Sequence, residues 1–246
     1  MHRSLEAVWE RLFHAFRGAR FERRSDLILW LFPPVPIPQV NGPWVVHDSA
    51  GAADALADAI EEVDAAGAWP WVQTRSGHDR TRQAAIDLGL THLEEMPGMV
   101  LRPGELNDAR AEIQIADVGA EEIDATNELL AMSFGAPKDV LDLFSTGVAS
   151  IEEAAWYIGR AHDEIVATAI GFTVGDATGI FNVATHPEHR GRGFGAALTS
   201  HAVRDGFEKG ASFAYLQSSG MGHSVYRALG FRDVERYTLL TRPAAT

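Results

Sequence analysis

The sequence predicts an α/β fold built on a sheet of mixed direction, and two observations lead to this class. Short apolar runs bounded by turn residues alternate with segments whose apolar residues recur at helical spacing. In the second half of the chain, a group of strands comes first, and helices and strands then alternate. Strands followed by alternation with helices are typical of a mixed α/β sheet.

The N-terminal half begins with an amphipathic pattern. Ser4 is a plausible N-cap, and the apolar residues that follow it, from Leu5 to Phe16, fall on one helical face. The prolines between Pro33 and Pro38 then predict an extended connector. The remaining predicted elements of this half are strands at 44–46, 71–74 and 99–101 and helices at 52–66 and 80–88, closed by Gly67 and Gly89.

A turn-rich segment, residues 102–108, separates the two halves. We therefore predict two domains, 1–105 and 106–246. In the second domain the predicted strands are 112–115, 155–160, 165–174, 179–185, 213–217 and 231–240. The predicted helices are 121–132, 139–144, 193–209 and 224–229.

Composition excludes several classes of protein. The 246 residues carry a formal net charge of −13, which disfavours a nucleic-acid partner because phosphate binding needs clustered Lys and Arg. The apolar run Leu27–Phe32 is far shorter than the roughly 20 residues of a membrane span. The chain has no cysteine, and its first residues lack a signal-peptide pattern. We expect a cytoplasmic protein without a nucleic-acid or membrane partner.

Two segments roughly 140 residues apart resemble each other. The first runs from Leu88-Gly89 to Glu94 and the second from Leu229-Gly230 to Glu235; each follows a predicted helix and precedes an Arg-Pro pair. This similarity predicts that the chain contains a duplicated unit.

The most informative stretch is 181–198, a strand, a short loop, a glycine-rich turn and a helix. Glycines allow positive φ and close approach of a ligand, and a helix that begins at once presents unpaired N–H groups and a positive dipole end. Together these features predict a phosphate pocket, to which Arg190 and Arg192 add charge-assisted hydrogen bonds. We therefore expect a ligand that bears a pyrophosphate.

Two cofactor classes fit this turn. Gly191-x-Gly193-x-x-Ala196 matches a dinucleotide fingerprint. That fingerprint should open a fold and needs an acidic residue after the next strand, whereas the segment after 213–217 is Ser218-Ser219. Coenzyme A is the other class.

The pattern Arg-x-x-Gly-x-Gly, met by Arg190, Gly193 and Gly195, resembles the pyrophosphate loop of the GNAT superfamily of N-acetyltransferases. The preceding passage from Val183 to Glu188 and the later Tyr226–Phe231 segment are also similar to that family, over residues 110 to 246. Ser219 stands where many members have asparagine.

The resemblance implies a mixed, mostly antiparallel central sheet flanked by helices, with a smaller related N-terminal domain. It implies acetyl-CoA as cosubstrate, with the pantetheine arm paired to the backbone of Val183, Ala184 and Thr185. The implied pyrophosphate and closing contacts are Arg190, Gly191, Arg192, Gly193, Phe194, Gly195, Ala196, Ser219 and Tyr226.

Acetyl transfer needs a deprotonated amine, N–H donors for the oxyanion and a proton for the departing thiolate. Tyr226 is our candidate for the acid that supplies this proton. The general base stays open among His186, Glu188, His189, His223 and a water chain.

The N-terminal half lacks the working residues. His47–Ala52 has no glycine-rich turn, and Ala85 stands where the tyrosine would be, so we expect a degenerate GNAT-like half. The predicted activity is N-acetylation of a small-molecule or peptide amine, whose pocket should be formed by residues 117–147 and the N-terminal half. A non-catalytic acyl-CoA sensor is the alternative, and a homodimer is a possible assembly.

Overall fold

The computed structural model describes residues 1–33 and 40–243. Its helices are α1 (His2–Ala15), α2 (Ala52–Ala65), α3 (Asp79–Asp87), α4 (Ile123–Phe134), α5 (Lys138–Val148), α6 (Phe194–Glu208) and α7 (His223–Ala228). Its strands are β1 (Arg20–Arg23), β2 (Leu27–Leu31), β3 (Asn41–Val45), β4 (Trp71–Arg75), β5 (Thr91–Leu101), β6 (Gln114–Asp117), β7 (Ala154–Ala161), β8 (Glu164–Val174), β9 (Ala177–Thr185), β10 (Phe213–Gln217) and β11 (Arg232–Thr241). Pro34, Pro36 and Pro38 of the predicted connector lie outside the described residues.

The chain divides into two compact units. The larger unit contains residues 1–15 and 99–233, and the smaller unit contains residues 16–98 and 234–246. The division into domains at residue 105 stays a prediction.

The larger unit has the strand order β10-β9-β8-β7-β6. The β6–β7, β7–β8 and β8–β9 pairs are antiparallel, whereas β9 and β10 are parallel. Helix α6 packs on β7 to β10, and α1 and α4 pack on β8 and β9. The sheet is therefore mixed, mostly antiparallel and flanked by helices, which confirms the predicted fold class.

The helix that leads away from the candidate site is held close to the sheet by a glycine. A Cβ atom at Gly206 of α6 would lie 2.4 Å from Cγ2 of Thr178 on β9, so only glycine permits this approach. One turn earlier, Ala202 and Val203 are fully buried in the core of the unit. The position of α6 against β9 is thus fixed by packing rather than by loops.

The smaller unit has the strand order β1-β2-β3-β4-β11, with β3 and β4 parallel and the other pairs antiparallel. Val45, Leu56, Val72 and Leu240 form part of one buried cluster. The order β2-β3-α2-β4-α3 repeats the order β8-β9-α6-β10-α7 of the larger unit, with the same strand directions. This equivalence supports the predicted duplication.

Strands β1 and β2 are absent from the sequence prediction. Every residue of β2 is buried, so the segment lacks the alternation of polar and apolar residues that marks a half-buried strand. From the sequence, the run Leu27–Phe32 is interpreted only as too short to span a membrane, and no strand is predicted there. No helix among residues 1–33 and 40–243 has the length and apolar character needed to cross a membrane.

Candidate active site

Strand β9 carries a bulge just before its end. Ile170 of β8 pairs with Phe181 and Thr168 pairs with Ala184, so β9 has one more residue than β8 between these pairs. Asn182 lies within the bulge with φ of 48°, a left-handed conformation that asparagine tolerates better than most residues. A bulge locally redirects the strand and leaves backbone groups unpaired. The backbone of Val183 is thereby redirected relative to the rest of β9.

The two parallel strands of the unit pair over a short distance. The register of β9 with β10 runs from Ala177–Phe213 to Gly179–Tyr215, and within the described residues β9 forms no further pair with β10 after Gly179. A Cβ at Gly179 would lie 2.7 Å from the Tyr215 hydroxyl oxygen. The tyrosine thus lies where the pairing ends. Beyond Gly179, residues Ile180, Phe181, Ala184 and Thr185 of β9 pair with β8.

The glycine-rich turn is open to solvent. Gly191 and Gly193 have φ of 78° and 79°, and residues 190–193 are largely exposed. Gly193 is the N-cap of α6 and provides no side-chain cap, while its carbonyl accepts from the N–H of Ala197 at 3.0 Å. The first turn of α6 therefore follows an exposed glycine and has no side-chain cap, as an anion site requires.

The start of α6 lies directly against the end of β9. A Cβ at Gly195 would lie 3.3 Å from Oγ1 of Thr185 and 3.6 Å from Cγ1 of Val183. The structure therefore brings the predicted pantetheine segment and the predicted pyrophosphate turn together. A larger residue at position 195 would have to displace one of these two side chains.

Two arginines flank this turn. The Arg190 Nε atom donates to the carbonyl oxygen of Thr185 at 3.3 Å. The Arg192 guanidinium lies 5.9 Å from the ring centre of Phe194 and 3.2 Å from Nδ1 of His189. Phe194 itself is buried.

Ser219 and Tyr226 lie on the segment that follows β10. The carbonyl oxygen of Ser219 accepts from the N–H groups of Gly222 and His223 at 3.1 and 3.2 Å, and its hydroxyl accepts from Gly222 at 3.3 Å. The serine thus organises the first turn of α7 and leaves its exposed side chain at the surface. Helix α7 places Tyr226, one turn further on, against the core of the unit.

Tyr226 has an apolar environment. Its ring centre lies 6.0 Å from that of Phe231, and it packs on the same core cluster as Phe194. Burial raises the pKa of Tyr226 to about 12. Its hydroxyl has no hydrogen-bond partner among residues 1–33 and 40–243, and the raised pKa keeps it protonated at neutral pH.

The four candidate bases differ in their partners. His186 accepts the N–H of Glu188 at 3.3 Å through Nδ1, and His189 lies 3.7 Å from a carboxylate oxygen of Glu164. His223 contacts both carboxylate oxygens of Asp233, at 3.0 and 3.1 Å. Glu188 is exposed in the loop. These contacts hold the loop and α7 in place, and the base stays open.

Comparison with known proteins identifies the family that part of this chain matches. Residues 123–231 match the model of the acetyltransferase (GNAT) family. This segment is a GNAT domain. It begins at the first residue of α4 and ends just before β11, so it includes the bulge, the glycine-rich turn and Tyr226.

Solved structures share the fold at low sequence identity. A GCN5-related N-acetyltransferase from Kribbella flavida superposes with a TM-score of 0.76 at 20% identity, covering 99% of this chain and 95% of that one. A GCN5-related N-acetyltransferase from Sphaerobacter thermophilus gives 0.68 at 19%, covering 91% and 83%. A tandem GNAT protein from the clavulanic acid biosynthesis pathway gives 0.62 at 15%, covering 89% and 79%. No curated protein matches the chain.

The smaller unit differs from the GNAT domain in the loop between β3 and α2. The Asp48 carboxylate accepts the N–H groups of Thr81 and Arg80 at 2.9 and 3.1 Å, and Arg80 donates to the Asp48 carbonyl at 2.8 Å. Burial alone would raise the pKa of Asp48, but these hydrogen bonds outweigh it and lower the pKa. The loop between β3 and α2 is thus tied to the first turn of α3.

The start of α2, the helix that corresponds to α6, carries an acidic residue. Asp54 lies in the first turn of α2, and the preceding loop has no arginine. Ala85, at the position equivalent to Tyr226, is fully buried. These contacts support the hypothesis that the smaller unit is a degenerate relative of the GNAT domain.

One feature of the GNAT domain is not apparent from the sequence. A cleft of about 620 Å³ is lined by the 3₁₀ turn Ala120–Glu122, by α4, by the hairpin of β7 and β8, and by His186. Its residues come from three separate segments, 121–132, 160–165 and residue 186, so only the carboxylates near residue 121 and the pattern of α4 are visible in the sequence.

Proposed function

We propose that the chain is an acetyl-CoA-dependent N-acetyltransferase that acts on a primary amine of a small molecule or peptide by direct attack. The observation that carries the proposal is the exposed start of α6 at Gly193, uncapped by any side chain and packed against the end of β9. Family membership of residues 123–231 supports acyl transfer as the general chemistry. A cytoplasmic location, consistent with the lack of cysteine, is part of the proposal.

Each part of the proposed site has a separate role in binding the coenzyme or in the reaction. The amides of residues 191–196, with Arg190 and Arg192, hold the pyrophosphate at the positive end of α6. The backbone of Val183 to Thr185, redirected by the bulge, pairs with the pantetheine arm as an added strand would. The same N–H groups are the nearest donors for the oxyanion that forms when the amine attacks the thioester carbonyl.

The proposed reaction consumes no net proton, because the amine gives up one proton and the sulfur takes up one. The amine nitrogen forms a bond to the acetyl carbon, and the carbon–sulfur bond breaks with its electron pair on sulfur. The nitrogen, which attacks as the neutral amine, loses one proton to the open base, and the sulfur gains one from the Tyr226 hydroxyl, which is restored when the base returns its proton. An isolated thiolate is a weaker base than a tyrosinate, so the two transfers must be coupled and the hydroxyl must lie close to the sulfur.

Two measurements on the full chain test this proposal. Acetyl-CoA at 100 times its dissociation constant should stabilise the fold by roughly 2.7 kcal/mol, seen as a raised melting temperature. Incubation with acetyl-CoA and panels of amines should then release free thiol. Stabilisation without thiol release from any amine would favour the non-catalytic sensor. Stabilisation by nicotinamide dinucleotides and not by acetyl-CoA would exclude both.

A further inference from the structure

The proposed site fixes the direction in which the coenzyme runs along β9. Its pyrophosphate lies at the start of α6, where a Cβ at Gly195 would be 3.3 Å from Oγ1 of Thr185 and 3.6 Å from Cγ1 of Val183. A pantetheine arm that pairs with β9 then passes Thr185 first and Val183 second. The acyl group therefore lies beyond Val183, on the side of Phe181, and points away from the pyrophosphate turn.

Strands β9 and β10 stop pairing at the end that the acyl group faces. Their last pair is Gly179–Tyr215, and in the described part of the chain β9 forms no further pair with β10 after it. An arm that lies beside residues 183–185 in the place of a paired strand therefore has this last pair ahead of it. Counting back along β9 from Val183, Phe181 and then Gly179 lead to this closed end of the split between the two strands.

The side chains of Phe181 and Tyr215 lie on the face of the sheet that points away from α6. A Cβ at Gly171 of β8 would lie 3.7 Å from Cβ of Ala202 on α6, so position 171 points toward that helix. Side chains alternate along a strand, so the next residue, Phe172, points to the opposite face. The ring centres of Phe172 and Phe181 are 5.5 Å apart, and those of Phe181 and Tyr215 are 6.2 Å apart. The three rings form one aromatic cluster on this face.

Gly179 lets two of these rings cover the closed end of the split. A Cβ at Gly179 would lie 2.5 Å from Cε2 of Phe181 and 2.7 Å from the Tyr215 hydroxyl oxygen, so both rings lie over the glycine. Phe181 comes from β9 and Tyr215 from β10, so the rings meet across the last pair of the two strands. Tyr215 is buried, whereas Phe181 is half-buried and keeps part of its ring accessible. Aromatic carbon thus fills the space ahead of the acyl group.

We propose that Phe181 and Tyr215 close the acyl end of the coenzyme site and restrict the donor to acetyl-CoA, so that longer acyl-CoA thioesters are excluded. The inference rests on the coenzyme placement of the proposed function, and it extends acyl transfer in general to one acyl group. The methyl of an acetyl group ends before the rings, whereas the additional methylenes of a butyryl chain have to displace them. Rings that are already packed against one another resist this displacement.

Calorimetric titration of the full chain with coenzyme A, acetyl-CoA and butyryl-CoA tests the inference without an acceptor amine. We expect butyryl-CoA to bind at least about tenfold more weakly than acetyl-CoA, the lower end of the usual discrimination for a methylene in an apolar pocket. Phe181→Ala should strengthen butyryl-CoA binding by roughly tenfold, because it opens the space that the chain needs, and should leave the dissociation constant of coenzyme A unchanged. Phe181→Leu should shift butyryl-CoA binding in the same direction, and it replaces the alanine variant if that variant does not fold.

Phe213→Ala is the matched control. Phe213 is also half-buried, and its ring centre lies 6.2 Å from that of Tyr215, but it pairs with Ala177, before the strands diverge. Equal gains in butyryl-CoA binding for Phe181→Ala and Phe213→Ala, or equal affinities of the unmodified chain for acetyl-CoA and butyryl-CoA, would overturn the inference. Selection against butyryl-CoA without thiol release from any amine would support the inference while the proposed catalysis fails. Absence of coenzyme A binding by the unmodified chain would refute both.

Discussion

The ring of Tyr226 packs against the apolar core of its unit, and the hydroxyl has no hydrogen-bond partner in the described part of the chain. Its raised pKa, about 12, keeps the proton on the oxygen at any physiological pH. If this proton is delivered to the leaving sulfur, its removal should affect the chemical step and spare binding, because the pyrophosphate contacts lie on α6.

We therefore expect Tyr226→Phe to lower kcat by about a hundredfold or more, the usual contribution of a positioned acid. The dissociation constant of acetyl-CoA should stay unchanged in the same variant. Steady-state thiol release and calorimetric titration measure the two quantities. Tyr157→Phe is the control, since Tyr157 is also a buried tyrosine but its hydroxyl donates a hydrogen bond to Oδ2 of Asp205 at 2.6 Å. Loss of coenzyme affinity in parallel with kcat would assign Tyr226 to packing.

At the scale of one element, α6 has a left-handed glycine at each end. Gly193 precedes the helix with φ of 79°, and Gly210 follows it with φ of 95°. A Cβ atom added at either glycine would lie no closer than 4.0 Å to a neighbouring atom, so the steric surroundings of the two are alike. The two positions differ in that only Gly193 lies at the proposed pyrophosphate site.

A valine at either position should cost about 1–3 kcal/mol of unfolding free energy, because a β-branched residue is strained at positive φ. Only Gly193→Val should abolish stabilisation by acetyl-CoA, since it alters the turn whose amides hold the pyrophosphate. Chemical denaturation gives the first quantity and thermal titration with acetyl-CoA the second. Equal retention of coenzyme binding in Gly193→Val and Gly210→Val would move the site away from α6.

The elements that are predicted well from the sequence are those that end at a residue typical of an element boundary, such as glycine. Helices α2 and α3 end before Gly67 and Gly89, whose φ values of 71° and 84° explain why glycine stops them. Strand β2 escapes prediction because a strand buried on both faces has no period to detect. The bulge at Asn182 escapes it because the bulge depends on pairing between β8 and β9.

The candidate site also has a part that can be predicted from the sequence and a part that cannot. The glycine-rich turn is continuous in sequence, so its residues could be named in advance, and the structure brings it against Val183 and Thr185. Binding by these residues and catalysis by Tyr226 stay predictions. The α4 cleft combines side chains more than sixty residues apart in the chain, from Glu121 to His186, and no local pattern links them.

At the scale of the whole molecule, the two units repeat one order of elements but differ at the equivalent loops. In the GNAT domain the loop after β9 leaves the first turn of α6 uncapped. In the smaller unit the first turn of α2 is also without a side-chain cap but carries Asp54, and the carboxylate of Asp48 in the preceding loop holds two amides at the start of α3. A pyrophosphate would meet like charge there, so duplication of the fold need not duplicate the site.

The chain should consequently bind one equivalent of acetyl-CoA. Calorimetric titration should give a stoichiometry of one for the unmodified chain and for Asp48→Ala, and no binding for Gly193→Val. Loss of the capping carboxylate should lower the unfolding free energy of Asp48→Ala by about 0.5–2 kcal/mol without creating a second site, because Asp54 remains and no arginine replaces Arg190. Two equivalents in the unmodified chain, or one in Gly193→Val, would show that the smaller unit is a working coenzyme site and not a degenerate one.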